Sequence, residues 1–251
     1  TAAPNAVAIG SVHKQERKKG PNVMKMRTLA LAGTGSLLAA AGAQAAFQGV
    51  STAFQFTVPG FGDTYAVFAD FQTSNEGLIS VSGTPALGPL VIKGAGFFNL
   101  SSTGGGSEIE HNRGFDGFAP PLKADSYFTI GAWSTTTPGY PGATALTPFF
   151  ASDPGVVGFN AGAPTFTITN GSWARLPGDA WALASHTEAA MVGSTNLNVL
   201  MMVVTVPTGT PQANVVTSIV GNLQTIDAAG SVTTTAQIEL IPAPGALALL
   251  G

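Results

Sequence analysis

Cysteine is absent from the 251 residues, and that lack removes disulfides, thiolate zinc sites, thiol nucleophiles and iron–sulfur clusters together. It is neutral about compartment, because exported bacterial proteins of this size can rest on a large β core without crosslinks. Charge is scarce too, at 9% of residues against 45% hydrophobic, so the chain is too apolar for a disordered protein and long enough to close a sizeable core. Glycine (32) and proline (17) are plentiful but follow no G-X-Y period, which excludes collagen and points to many turns between short strands. There is no fixed-period repeat.

The few charges are unevenly placed. Lys14, Arg17, Lys18, Lys19, Lys25 and Arg27 lie in the first 45 residues with Glu16 alone against them, which leaves four cations and twelve acids from Ala46 onward, a net of −8. A body of that sign repels phosphate backbones and anionic lipid head groups, so nucleic acid is not expected as a partner.

Residues 24–50, "MKMRTLALAGTGSLLAAAGAQAAFQGV", divide into three pieces. Lys25 and Arg27 hold the cytoplasmic side, Leu29 to Ala41 form an apolar stretch, and Ala43 and Ala45 supply the small side chains that a signal peptidase accommodates. Residues 24–45 are therefore expected to be a secretory signal peptide, helical or disordered until it is cut after Ala45. A retained anchor fits less well, because the run falls short of the ~20 residues a span needs and contains Gly33, Gly35 and Ser36. Residues 1–23 begin with Thr1 and include "HKQERKKG"; they are expected to be a disordered segment upstream of a start at Met24 or Met26.

From 46 to 240 the dominant period is two. Tyr65, Val67, Ala69 and Phe71 share a face; Phe166 and Ile168 alternate with Thr165, Thr167 and Thr169; Val232, Thr234, Ala236, Ile238 and Leu240 oppose Thr233, Thr235, Gln237 and Glu239. These segments predict half-buried antiparallel strands. "LNVLMMVVTV" (197–206) is apolar on both phases, too short to span a bilayer and stopped by Pro207, which predicts a central strand covered on both sides. Further strands are expected at 49–58, 77–83, 89–98, 125–133, 178–184 and 214–226, the last pairing with 231–240 as a hairpin across "DAAG". Roughly nine or ten strands at this spacing predict an all-β fold, an antiparallel β-sandwich, with a jelly roll or barrel as the next choice.

Chemistry is thinly signalled. Glu108, Glu110, Asn112 and Asp116, in the long loop 101–123, offer oxygens to a hard cation such as calcium, without EF-hand or other metal spacing; a solvated loop accounts for them equally. His186 and Glu188 form an H-x-E triplet that lacks the cysteines a zinc deaminase needs. His111 and His186 are the body's two histidines, and no G-x-S-x-G elbow accompanies them. The chain is therefore expected to be non-enzymatic and to need no cofactor, with a secreted hydrolase as the least favoured reading. In "DSYFTIGAW" (125–133) Tyr127 and Trp133 fall opposite Phe128 and Ile130; together with Trp173 they are candidate stacking surfaces for a sugar, which makes a carbohydrate-binding module the alternative. Trp181, in phase with Leu183, is expected in the core.

The chain ends on "IPAPGALALLG", 241–251. Pro242 and Pro244 fix two φ angles, so the sheet must stop before them, and an apolar segment opens at Ala246. The run Pro242-Ala243-Pro244 followed by "GALALL" resembles the PEP-CTERM sorting signal of exported bacterial proteins, with alanine where glutamate is usual. "ADSYFTIGAW" and "TTTAQIELIP" are likewise similar to the β-rich bodies that carry such tails. The resemblance implies a following transmembrane stretch with terminal arginines, so 241–251 is expected to be the opening of that tail. It also implies recognition by an exosortase-type membrane protease and delivery through the inner membrane to the cell surface or beyond, where exopolysaccharide is a candidate partner.

Overall fold

Phe47, two residues past the expected cleavage point, opens the first strand. The computed structural model describes residues 47–100, 113–136, 145–146, 159, 162–176, 178–186 and 191–240. Among them regular structure is nearly all strand: β1 (Phe47–Val58), β2 (Gly62–Phe71), β3 (Gly77–Gly83), β4 (Leu90–Gly94), β5 (Tyr127–Phe128), β6 (Ala145–Leu146), β7 (Thr165–Ile168), β8 (Gly171–Ala174), β9 (Asn198–Val206), β10 (Val216–Ile226) and β11 (Val232–Leu240). Two four-residue helices accompany them, α1 (Pro120–Lys123) and α2 (Gln212–Val215). All lie within one compact unit, Gln44–Gly251.

The strands form two antiparallel sheets, so the fold is the all-β sandwich that the alternation predicts. Sheet A has the order β1-β2-β9-β5. Sheet B is built on β10, whose one edge pairs with β11 while the other pairs with β4 over Val216–Val220 and with β3 over Asn222–Ile226. Because β3 and β4 both run antiparallel to β10, they are two halves of one line, interrupted by the excursion 84–89. β8 and β7 repeat the arrangement on the next edge, β8 against β3 and β7 against β4, and β6 pairs with β8.

Asn222 closes the interruption. Its Nδ2 donates to the carbonyls of Ser82 and Gly88, both at 3.1 Å, while its Oδ1 accepts from the Gln237 amide at 3.1 Å. Thr84 and Gly88 exchange a pair of backbone bonds across the base of the excursion at 2.9 and 2.8 Å. The chain turns so tightly here that a Cβ on Gly83 would collide with the Ile168 carbonyl and the Leu90 amide, which requires glycine. Gln237 takes φ 48°, an uncommon left-handed value for a non-glycine residue, and is held there by its bonds to Asn222 and to the Pro89 carbonyl.

The continuous apolar run of β9 has a structural explanation. All nine of its residues are buried, and a bulge opposite Val67 and Phe68 inserts Met201. Val199, Met201, Met202, Val204 and Val206 therefore enter the core between the sheets, while Leu200 and Val203 turn to the outer face of sheet A. The inter-sheet core also holds Tyr65, Val67, Ala69, Phe71, Phe166 and Ile168, as their alternation predicts.

Some expected strands differ. Residues 125–133 pair as a ladder only at Tyr127 and Phe128, because the bulge in β9 shifts the partners and Gly131 turns the chain at φ 80°. Residues 178–184 form a 3-10 turn at Ala180–Ala182, capped by the Asp179 carboxylate accepting from the Trp181 amide at 3.0 Å, and contribute only a bridge between Leu183 and Gly77. β11 forms the expected hairpin with β10, but Val232 is 46% exposed and Thr234 and Ala236 are exposed as well, so the phase expected to face inward lies open at that end of the strand.

Candidate functional site

The three candidate sugar-stacking rings do not form a platform. Tyr127 is fully buried on the outer face of sheet A, packed among Ala66, Phe68, Leu200 and Val203, and its hydroxyl donates to the Trp133 carbonyl at 2.6 Å. Trp173 is fully buried between the sheets and stacks on Phe128, with centroids 4.5 Å apart. Alternation places Tyr127 outward because it distinguishes only two faces, yet here both faces of the sandwich near β5 are covered. Trp133 is half-buried, and a cation lies over its ring. Trp181 is in the core as expected, its ring against that of His186 at 3.8 Å.

That cation is Arg113. Its Cζ lies 4.1 Å from the Trp133 ring centroid and 5.5 Å from that of Phe56. Nη2 donates to the Lys123 carbonyl at 3.1 Å and pairs with Asp116 at 3.0 Å; Nη1 donates to the Tyr127 hydroxyl at 3.4 Å. Lys123 Nζ in turn sits 4.7 Å from the Phe56 centroid. With only 6% of its side chain exposed, the guanidinium is a latch that fastens the 113–136 segment onto sheet A, a structural use of charge.

Of the candidate calcium ligands, Asp116 is engaged by this arginine, while Glu108, Glu110 and Asn112 lie outside the described residues, as do His111 and Glu188. Among the described residues no three His, Asp or Glu side chains come together in a metal-holding group. The cleavage residues Ala43 and Ala45 and the sorting residues Pro242, Ala243 and Pro244 also lie outside the described residues.

A different feature has the form of a binding site. A groove of about 350 Å³ runs across the outer face of sheet B. Its floor comprises Ser172 and Ala174 of β8, Ser80 and Ser82 of β3, Gln224 of β10 and Thr234 of β11; the excursion contributes Thr84 and Leu87, and the β7–β8 turn contributes Asn170. The ladder registers explain this row, since Ser82 lies opposite Ser172, and Ser80 lies opposite both Gln224 and Ala174. Ser80 Oγ donates to Gln224 Oε1 at 3.1 Å, and Gln224 Nε2 donates to Thr234 Oγ1 at 3.3 Å. The lining carries hydroxyls and amides but no charged side chain. A second, smaller cleft of about 260 Å³ is lined largely by Phe61, Phe97, Phe98, Val206 and Pro207, and offers apolar surface.

The polar signal was present in the sequence as alternation, Ser80 and Ser82 between Ile79, Val81 and Gly83, with Gln224 after Leu223. Residues 144 apart become neighbours only once the strand order is known. Chemically the groove suits hydrogen bonding to an uncharged polyhydroxylated surface. Comparison of the chain with protein-family models, with curated proteins and with solved structures returned no match.

Proposed function

We propose that this chain is an exported, surface-associated, non-enzymatic β-sandwich of the cell envelope or extracellular polysaccharide matrix. A leader removed by signal peptidase delivers it across the inner membrane, and an exosortase-type protease sorts it at Pro242-Ala243-Pro244. The observation that carries this reading is where the described strands start and stop. β1 begins at Phe47, immediately beyond the expected cut after Ala45, and β11 ends at Leu240, immediately before Ile241 and the proline pair. No ladder among the described residues draws on either targeting segment, in keeping with a protein that is processed at both ends. The surplus of acids over cations from Ala46 onward suits a protein that stays dispersed outside the cell and shuns nucleic acid.

The test is expression of the full chain in a Gram-negative host, with fractionation and N-terminal sequencing. Product outside the inner membrane beginning at Ala46 is expected. Product confined to the cytoplasm with residues 29–45 still attached would refute the reading.

A further inference from the structure

We propose that the groove on the outer face of sheet B binds a segment of neutral polysaccharide through hydrogen bonds. The proposal rests on the export reading only for where such a polymer is met; the binding itself is argued from the site.

Four strands and two connecting turns each bring a hydroxyl or amide side chain to the groove, beside the apolar surface of Leu87, Gly171 and Ala174. Gln224 uses one lone pair of Oε1 for Ser80 and one N–H of Nε2 for Thr234, so its amide keeps one acceptor site and one donor side by side. That pairing matches two neighbouring sugar hydroxyls, one giving and one receiving. Ser82 and Thr84 add hydroxyls that can do either. Thr84 Oγ1 already accepts from the Leu87 amide at 3.1 Å, which fixes the wall formed by the excursion.

Charge selects the class of glycan. No ion lines the groove, and the body's surplus of carboxylates opposes an acidic polymer. The floor spans four adjacent strands, β8, β3, β10 and β11, or about 14 Å at the usual strand spacing, which admits a run of sugar units lying across the sheet. At about 350 Å³ the site falls near the lower end of ordinary ligand clefts, so a short segment of a long chain fits better than a large folded partner.

The experiment is native affinity electrophoresis of the purified full chain in gels containing dextran, laminarin or xyloglucan as neutral probes and alginate as the acidic one. At least one neutral polymer should retard the protein and alginate should not. Gln224→Ala should weaken that retardation by about tenfold or more, as expected for losing a central donor–acceptor pair, with the melting temperature held. Should Gln224→Ala unfold, Thr234→Val, on an exposed edge strand, provides the same reading with a smaller loss. No retardation by any neutral polymer overturns the proposal, as do stronger retention by alginate and undiminished retention in folded Gln224→Ala and Thr234→Val. Loss of retention in Trp133→Leu alone would place binding on the opposite sheet and overturn it as well. Fractionation separates the two readings: an exported chain that binds no neutral glycan sinks this inference only, and a cytoplasmic chain that binds one sinks only the export reading.

Discussion

Arg113→Ala is the sharpest probe of how the sandwich holds its longest described non-strand segment. The guanidinium makes two ring contacts, a bond to the Lys123 carbonyl, another to the Tyr127 hydroxyl, and an ion pair with Asp116, whose side chain is 15% exposed. A hydrogen bond involving a charged group contributes about 1.5–3 kcal/mol and a desolvated cation–π contact about 2 kcal/mol, but these share one side chain and do not add. Removing one member of a largely buried ion pair costs about 3–5 kcal/mol, and that is the loss expected here. In a domain of about 200 residues it corresponds to a fall in melting temperature of about 6–20 °C. Urea unfolding followed by tryptophan fluorescence would measure it, with the denaturant slope unchanged. Arg113→Lys should lose most of the same amount, because an ammonium cannot reach carbonyl, hydroxyl and carboxylate at once while lying flat on Trp133. A double-mutant cycle with Trp133→Leu should show coupling above about 0.5 kcal/mol. If Arg113→Ala costs less than about 1 kcal/mol, the contact is an ordinary surface pair and the latch argument fails.

Two further outcomes follow from buried polar groups. Asn222→Leu removes its bonds to the Ser82 and Gly88 carbonyls and the Gln237 amide, so a loss of about 2–3 kcal/mol is expected, with faster amide hydrogen exchange at Thr84 and Gly88; unchanged protection there would show that the excursion holds itself through its own Thr84–Gly88 bonds. Burial raises the Asp70 carboxyl above the ordinary aspartate range, against hydrogen bonds from Ser51 and Asn198. A folded-state value above the unfolded one means that its contribution is present in acid and is lost as pH rises through the folded value. Asp70→Asn should therefore raise the melting temperature relative to the parent at pH 7 more than at pH 3.5, and an equal gain at both would refute the assignment.

Alternation revealed what alternation can encode. It identified the inward face of β2 and the core positions of β7, and the unbroken apolar run correctly marked β9 as covered twice. It could not separate Met201 from Met202, because a bulge places both inward and that depends on the partner strand. β8 carries a single large apolar side chain, Trp173, and β6 has only two residues, so neither shows a period. The error at 178–184 has a local cause, since Gly178 and Asp179 start a capped turn that competes with extended structure for the same apolar residues. Tyr127 and Trp133 were legible as a pair opposite Phe128, but what surrounds them comes from distant parts of the chain, Arg113 over Trp133 and Met191 and Ala53 in the cluster around Tyr127. The groove escaped for the opposite reason: each of its residues is unremarkable alone, and only the order of β8, β3, β10 and β11 assembles them.

The use of the body's cations ties these features together. Of the four beyond Ala46, Arg113 and Arg175 have side chains only 6% and 3% exposed. Arg175 donates from Nε to the Ile130 carbonyl at 2.7 Å and faces Asp179 at 3.6 Å, fixing the turn that carries Trp181 against Gly131. Lys123 lies over Phe56. Three of the four thus fasten irregular segments to the sheets, Lys93 stays exposed on β4, and carboxylates outnumber cations in the body. A surface of that sign cannot draw acidic polymers by charge, and a neutral glycan on it would be recognised through hydrogen bonds and shape. The groove on sheet B's outer face gathers serine, threonine and amide side chains with no ion in its lining, although Lys93 and Glu239 lie elsewhere on the same sheet.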